Sequence, residues 1–244
     1  MKYVSTSLLA FLLGATLASA DLVTGDIAFT AFNADGDDDF AFVTFVDIAP
    51  NKSIYFTDNE SDGAGGFVDV NEGTLLWQSG LSIIAAGTVV TFTDVDSSGN
   101  ANFGASVGTL SMPDATLNLS GSGDNLLAFL GTDEATPTVF LTGLETAAGA
   151  AGDLTGTGLV AGNNFLAFTG SEDGGVYAGS RNNQVSLDAY GSIINTAGNW
   201  TTTTGDAEAL LPFNTTSFTV VPEPSTFALF GLALAGMGLV RRKR

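Results

Sequence analysis

The chain has 244 residues with no cysteine and no histidine, and its 26 acidic residues far outnumber its seven lysines and arginines. These absences exclude disulfides, thiol nucleophiles, Ser-His-Asp triads and metal sites built from thiolate or imidazole ligands. The remaining catalytic options are paired carboxylates, a Ser-Lys pair, a tyrosine or a metal held by oxygen atoms. We therefore expect a protein that is not an enzyme and has no catalytic residues.

Residues 1–20 have the three parts of a secretory signal peptide. Lys2 supplies the positive charge, the apolar run SLLAFLLGATL follows, and Ala18-Ser19-Ala20 forms a small-residue cleavage site. The apolar run is too short for a first membrane helix. The alternative is a buried N-terminal strand or helix, but the match of all three parts favours a signal helix that directs export.

The body of the chain, residues 21–220, is strongly acidic. It contains 25 acidic residues and only two cations, Lys52 and Arg181, which gives a net charge of −23. Such a surface repels phosphate backbones, so nucleic acid is excluded as a partner. The charge indicates either a well-solvated extracellular surface or one that binds cations. Because no Pro-rich linker divides the body, we expect one β-rich domain.

The hydrophobic periodicity along the body is that of strands separated by Gly, Asn and Asp turns. The predicted strands are DIAFTAFN (26–33), FAFVTFV (40–46), SIYFT (53–57), TLLW (74–77), TVVTFTDV (88–95), LLAFL (126–130), TVFLT (138–142), FLAFT (165–169) and SFTVV (217–221). Only SLDAYGSIIN (186–195) has helical periodicity. The pattern predicts an all-β protein with an immunoglobulin-like or related antiparallel β-sandwich.

Two acidic clusters are candidates for a calcium site. The first contains Asn33, Asp35, Asp37, Asp38 and Asp39, and the second contains Asp58, Asn59, Glu60 and Asp62. Ca²⁺ prefers six to eight oxygen ligands, and loops that meet in the fold could supply them. The alternative is that these acids cap backbone amides in turns. The spacing of the first cluster is not that of an EF-hand, so no metal ligand is assigned and calcium stays an open question.

Three other features have a functional interpretation and a structural one. Trp77 and Trp200 could stack on sugar rings, but in a chain with eighteen phenylalanines we expect them in an aromatic core. Lys52 is the one lysine that lies next to a candidate nucleophile, Ser53. Neighbouring side chains on a strand point to opposite faces, so a Ser-Lys catalytic pair is not expected.

The C-terminus combines an apolar run with a basic end. Residues 227–240 carry no charge and are followed by Arg241, Arg242, Lys243 and Arg244. As a helix the run spans about 21 Å, short against a hydrocarbon core of about 30 Å. Ser225 and Thr226 extend it, and the arginine stems reach the far interface. We predict a single membrane helix whose basic end is cytoplasmic, which leaves the body outside the cytoplasm.

The last 24 residues resemble the PEP-CTERM sorting signal. The resemblance rests on Val221 and the motif Pro222-Glu223-Pro224, on the glycine-containing apolar helix and on the basic tail, so residues 221–244 are predicted to be this signal. It implies recognition by an exosortase, a membrane enzyme that cuts near the motif, in a host that makes extracellular polysaccharide. Independently, the two prolines fix an extended segment outside the helix.

The body is also similar to a β-rich module of secreted bacterial surface proteins, and distantly to lamin-tail-like immunoglobulin folds. The similarity rests on GDIAFTAFNADGDDDFAFVTFVDI, IYFTDNE, IAAGTVVTFTD, GDNLLAFLGT and the closing Asn199-Trp200. It implies a β-sandwich and an extracellular setting. Neither group has a defined catalytic set, so the resemblance implies no reaction.

The leading hypothesis from the sequence is a non-enzymatic protein of the cell surface or extracellular matrix, processed by an exosortase and associated with exopolysaccharide or biofilm. Its location would be the outer surface or matrix, after transient anchoring in the inner membrane. The alternative is a Ca²⁺-dependent glycan-binding module. A glycosidase, which needs two carboxylates about 5–10 Å apart in a cleft, is the least favoured hypothesis.

Overall fold

The computed structural model describes residues 21–221. The predicted signal helix (1–20), the predicted membrane helix and Pro222-Glu223-Pro224 lie outside the described residues. The strands are β1 (Ile27–Asn33), β2 (Asp39–Thr44), β3 (Ser53–Thr57), β4 (Ser61–Asp62), β5 (Thr74–Gln78), β6 (Val89–Thr93), β7 (Gly104–Ala105), β8 (Thr109–Ser111), β9 (Asn125–Asp133), β10 (Thr136–Glu145), β11 (Gly152–Asp153), β12 (Phe165–Ala167), β13 (Gly174–Tyr177) and β14 (Trp200–Thr203). One short helix, α1 (Tyr190–Ile194), and two 3₁₀ turns (Ala197–Asn199 and Glu208–Leu210) complete the elements.

Two six-stranded sheets form the body. The first has the order β14-β13-β1-β2-β6-β7 and is antiparallel throughout. The second has the order β12-β10-β9-β3-β5-β8 and contains one parallel pair, β10 with β12. A small parallel pair, β11 with β4, lies outside both sheets. The all-β sandwich is confirmed, although the second sheet is mixed rather than purely antiparallel.

Aromatic rings from both sheets form the core. Phe40 in β2 lies 4.4 Å from Phe92 in β6 and 5.0 Å from Phe56 in the opposite sheet, measured between ring centroids. Phe42 meets Trp77 of β5 edge-on at 5.5 Å. All five side chains are fully buried. Offset and edge-to-face contacts of this kind stabilise a core beyond the area that they bury, so the inter-sheet layer is well defined.

Strand β9 is buried on both faces, as its continuous apolar sequence suggests. Leu126 and Ala128 face the core between the sheets. Leu127 and Phe129 belong to a second hydrophobic cluster on the other side of the sheet, together with Phe140 and other residues. The second sheet is therefore the middle layer, and the loops that carry β4 and β11 cover its outer side.

Helix α1 and the last described residues pack together. The predicted helix at 186–195 is confirmed only as the five residues of α1, with Tyr190 and Ile194 fully buried. We call residues 207–221 the C-terminal strap. Phe218 of the strap packs against Tyr190 with 5.0 Å between ring centroids. The predicted strand at 217–221 is wrong, because this segment makes a single isolated β-bridge, from Val220 to Gln184.

Among residues 21–221, no helix has the length and apolar character needed to cross a membrane.

Candidate functional site

The first acidic cluster forms a closed turn between β1 and β2. Asn33 is fully buried; its Oδ1 accepts a hydrogen bond from Asp35 N, and its Nδ2 donates to Asp35 O and to Asp39 Oδ2, each at 3.0 Å. Asp39 Oδ1 accepts from the backbone N of Asp94 at 3.2 Å. These oxygens therefore already accept hydrogen bonds from donors within the protein. This is the turn chemistry that we considered from the sequence as the alternative to calcium.

The outer acids of this cluster join the turn to distant segments. Asp35 Oδ2 accepts from Ala207 N of the C-terminal strap at 2.8 Å. Asp37 Oδ1 accepts from Asn100 Nδ2 at 3.0 Å. The acids that the sequence grouped together thus diverge to separate partners instead of converging on one point.

The second cluster divides in the same way. Asn59 Oδ1 accepts from the backbone N of Glu72 at 3.2 Å. Asp62 Oδ1 accepts from Ala64 N at 2.7 Å and from Gly66 N at 2.9 Å, and these backbone hydrogen bonds lower the pKa of its carboxyl group. Within residues 21–221 no group of three or more acidic side chains is arranged to hold a metal ion. The geometry of these two loops, Glu60 included, therefore gives no support to a shared calcium site, which stays a hypothesis.

Three carboxylates from different loops hold one short segment, an arrangement that we call the carboxylate clamp. The backbone N–H groups of residues 118–120 donate in turn to Asp58 Oδ2 at 2.9 Å, to Asp38 Oδ2 at 2.5 Å and to Asp124 Oδ2 at 2.7 Å. Asp58 and Asp38 are 4% and 2% exposed. The clamp closes one end of the sandwich, because residues Leu117 and Leu119 of the same segment are buried in the core.

Burial dominates the ionisation of the clamp. It raises the pKa of Asp38 from 3.8 to about 8 and that of Asp58 from 3.8 to about 7, although the backbone hydrogen bonds act in the opposite direction. Burial also raises the pKa of Asp124. The two cations among the described residues are engaged elsewhere: Lys52 pairs with Asp21 at 2.5 Å, and Arg181 donates to backbone oxygens of the strap.

Both tryptophans lie in the interior, as expected. Trp77 is fully buried and its Nε1 donates to Val107 O at 2.8 Å. Trp200 is 9% exposed and its Nε1 donates to Ile194 O at 2.6 Å. Neither ring presents a face for stacking on a sugar. Lys52, the lysine of the Lys52-Ser53 pair, directs its Nζ to Asp21, which leaves no support for Ser-Lys catalysis.

A groove of about 490 Å³ lies between the end of β6 and the C-terminal strap. Its residues come from three places in the chain: Asp39 from β2, Thr91, Thr93, Asp94 and Asn102 from β6 and the loop after it, and Leu211, Pro212, Phe213 and Thr215 from the strap. This groove could not be predicted from the sequence, because its two walls are more than one hundred residues apart.

The comparisons with known proteins identify the C-terminus. Residues 220–244 match the PEP-CTERM protein-sorting motif. No curated protein and no solved structure matches the chain. The motif indicates an extracellular protein that is targeted to an exosortase, and it implies export and a C-terminal membrane anchor before processing. The body of the protein has no counterpart in these comparisons from which a role could be transferred.

Proposed function

We propose that this chain is a non-enzymatic protein of the cell surface or extracellular matrix, released from its membrane anchor by an exosortase and associated with exopolysaccharide or biofilm. The observation that carries the proposal is the sorting motif at residues 220–244. It directly follows an acidic body that is preceded by a predicted signal peptide. The lack of cysteine and histidine supports a role in binding rather than catalysis. So does the engagement of the buried acids by backbone donors.

Replacement of Pro222, Glu223 and Pro224 by alanine tests the processing step. We expect the variant to accumulate at full length in the membrane fraction, because the extended segment that the enzyme recognises is lost. Immunoblotting of cell fractions measures the outcome. Pro113→Ala, an exposed proline outside the motif, is the matched control and should mature normally. Normal maturation of the triple variant would contradict the proposal.

The polysaccharide association has its own test. The processed protein should sediment with the extracellular polysaccharide and be released when that polysaccharide is enzymatically degraded. Recovery of all processed protein as free soluble material, with the polysaccharide intact, would refute this part of the proposal and leave the sorting step standing.

A glycan-binding module is the second candidate, and the groove beside the C-terminal strap favours it. Pockets of a few hundred Å³ with a few polar groups on an apolar lining are typical of small-ligand sites. In the calcium-dependent form of this candidate, a chelator would abolish binding. Measurement of glycan binding with and without EDTA separates calcium-dependent from calcium-independent binding.

A further inference from the structure

The groove combines a polar wall with an apolar one. Thr91 and Thr93 alternate along β6 with buried Phe92, so their hydroxyl groups point away from the core. Opposite them lies the strap, where Leu211 and Pro212 are exposed and Phe213 is buried in the core. A ligand in the groove therefore meets hydroxyl groups on one side and hydrocarbon on the other.

The polar wall has free hydrogen-bonding capacity. Thr93 Oγ1 donates to Asn102 O at 2.7 Å and keeps its own lone pairs. Asp94 Oδ2 accepts from Asn102 N at 3.2 Å, whereas Asp94 Oδ1 and the Asn102 carboxamide make no hydrogen bond within residues 21–221. The wall thus offers a carboxylate acceptor beside groups that both donate and accept. A ligand rich in hydroxyl groups satisfies this set.

The backbone of Asp94 is strained at this position. Its φ is +52°, and the other described non-glycine residue with a positive φ is Asn51, at +56°. Residues other than glycine occupy this region at a cost, and such strain clusters at functional sites. Glycine would adopt this backbone conformation without strain, but it would not place a carboxylate at the groove as Asp94 does.

The charge of the groove restricts its ligand. Asp94 and Asp39 are its two ionisable lining residues, and no cation lines it. An anionic sugar would meet this pair and a body with 25 acids and two cations. Repulsion disfavours uronic acids and phosphorylated glycans, whereas neutral hydroxyl groups donate to carboxylates without this repulsion.

We propose that this groove binds a neutral saccharide of about two to three sugar units, whose hydroxyl groups bond to Asp94 and Asn102 and whose C–H face packs on Leu211 and Pro212. The inference rests on the proposed extracellular role and deepens it by naming the class of glycan. A volume of about 490 Å³ is within the range of small-ligand pockets.

The test uses the purified full-length chain and calorimetric titration with maltotriose, cellotriose, mannotriose and galactotriose. Trigalacturonic acid serves as the anionic probe and chitosan trimer as the cationic one. We expect at least one neutral trisaccharide to bind with a Kd below about 1 mM, in the presence of EDTA as in its absence. Trigalacturonic acid should not bind.

Asp94→Gly separates binding from folding. Glycine relieves the positive φ but also removes the hydrogen bond from Asn102 N and loosens the unfolded chain, so the melting temperature should change little while neutral trisaccharide affinity falls at least tenfold. Asn51→Gly relieves the same strain away from the groove and should bind like the parent. Asp94→Asn, which tolerates the same backbone conformation and keeps an acceptor, should lose less affinity than Asp94→Gly.

Failure of neutral trisaccharide binding, equal binding by Asp94→Gly, or binding of the chitosan trimer alone would each overturn the inference. Cells that express Asp94→Gly distinguish this failure from failure of the proposed function. If that variant lacks sugar affinity in vitro yet still sediments fully with the polysaccharide, the groove is not the site of association, and the extracellular role is unaffected.

Discussion

Tyr190 shows how one side chain joins three parts of the chain. Its hydroxyl group accepts from Asn183 N at 2.8 Å and Gln184 N at 3.2 Å, and it donates to Thr219 O at 2.9 Å. The ring is fully buried against Phe218. Helix α1, the preceding loop and the C-terminal strap are therefore fixed to one another by a single phenol.

Tyr190→Phe should destabilise the protein by about 1–3 kcal/mol, because it keeps the ring and leaves two amides and a carbonyl without their partner. Urea denaturation at neutral pH measures the change. Tyr177→Phe is the matched control, since the Tyr177 hydroxyl group donates only to Ser180 O, at 3.2 Å, and we expect a smaller loss. Equal losses for the two variants would contradict this account of Tyr190.

Individual residues could be assigned from the sequence where the reason was local. The placement of both tryptophans in the core followed from the abundance of aromatic residues, and the turn chemistry at Asn33 was one of the two alternatives that the sequence left open. The partners of Asp38 and Asp58 could not be predicted, because their donors lie 81 and 60 residues away. Only the packing of the two sheets brings them together.

At the scale of elements, the segment that the carboxylate clamp holds is also fitted closely against Gly73. A Cβ atom at Gly73 would overlap the backbone of Thr116 and Leu117. Gly73 also forms an isolated parallel bridge with Ala115. Backbone therefore packs directly on backbone where this segment closes the sandwich, and a side chain has no space there.

Gly73→Ala should displace the closing segment and lower stability by about 1–3 kcal/mol. Hydrogen exchange should show reduced protection of the amides of residues 118–120, which the clamp holds. Gly198→Ala is the control, because no atom lies within 4 Å of a Cβ at that position. Unchanged exchange in Gly73→Ala would show that the segment adapts without opening.

Eight of the nine predicted strands are confirmed, whereas the short strands β4, β7, β8, β11, β13 and β14 were missed. Strand β13 shows the reason most clearly. Its sequence, GGVY, contains two glycines, which have low β-propensity. The structure supplies the reason for Gly175: a Cβ there would lie 2.8 Å from the Phe32 ring and 3.2 Å from Trp200. The error at 217–221 has the opposite cause: its apolar alternation suggests a strand, but only Phe218 is buried, Val220 and Val221 are exposed, and the segment makes one isolated bridge.

At the scale of the whole molecule, the raised pKa values of the clamp predict a stability that decreases with increasing pH. The folded-state pKa of Asp38 is about 8 and that of Asp58 about 7, against 3.8 for the unfolded chain. The folded state therefore binds more protons than the unfolded state between these values. The contribution of these two carboxyl groups to the free energy of unfolding is fully present below about pH 4. It is lost as the pH rises through 7 and 8.

Each unit of raised pKa corresponds to about 1.4 kcal/mol, so we expect the free energy of unfolding to fall by several kcal/mol between pH 5 and pH 9. Chemical denaturation across this range measures the slope. Asp38→Asn should reduce the slope, because its amide cannot ionise while Asp58 still does. Asp62→Asn is the control. The Asp62 carboxyl group has a lowered pKa and is ionised throughout the range, so its replacement should leave the slope unchanged. A slope of opposite sign in the parent would refute the prediction.

The attachment of Val221 has a consequence for the geometry of release. Its backbone N donates to Gln184 O at 2.8 Å, and the very next residue is Pro222 of the sorting motif. No residue lies between the described body and the sorting motif. If an exosortase cuts at the motif, we expect it to act directly beside the residues that Gln184 holds, and the released protein would carry almost no trailing peptide.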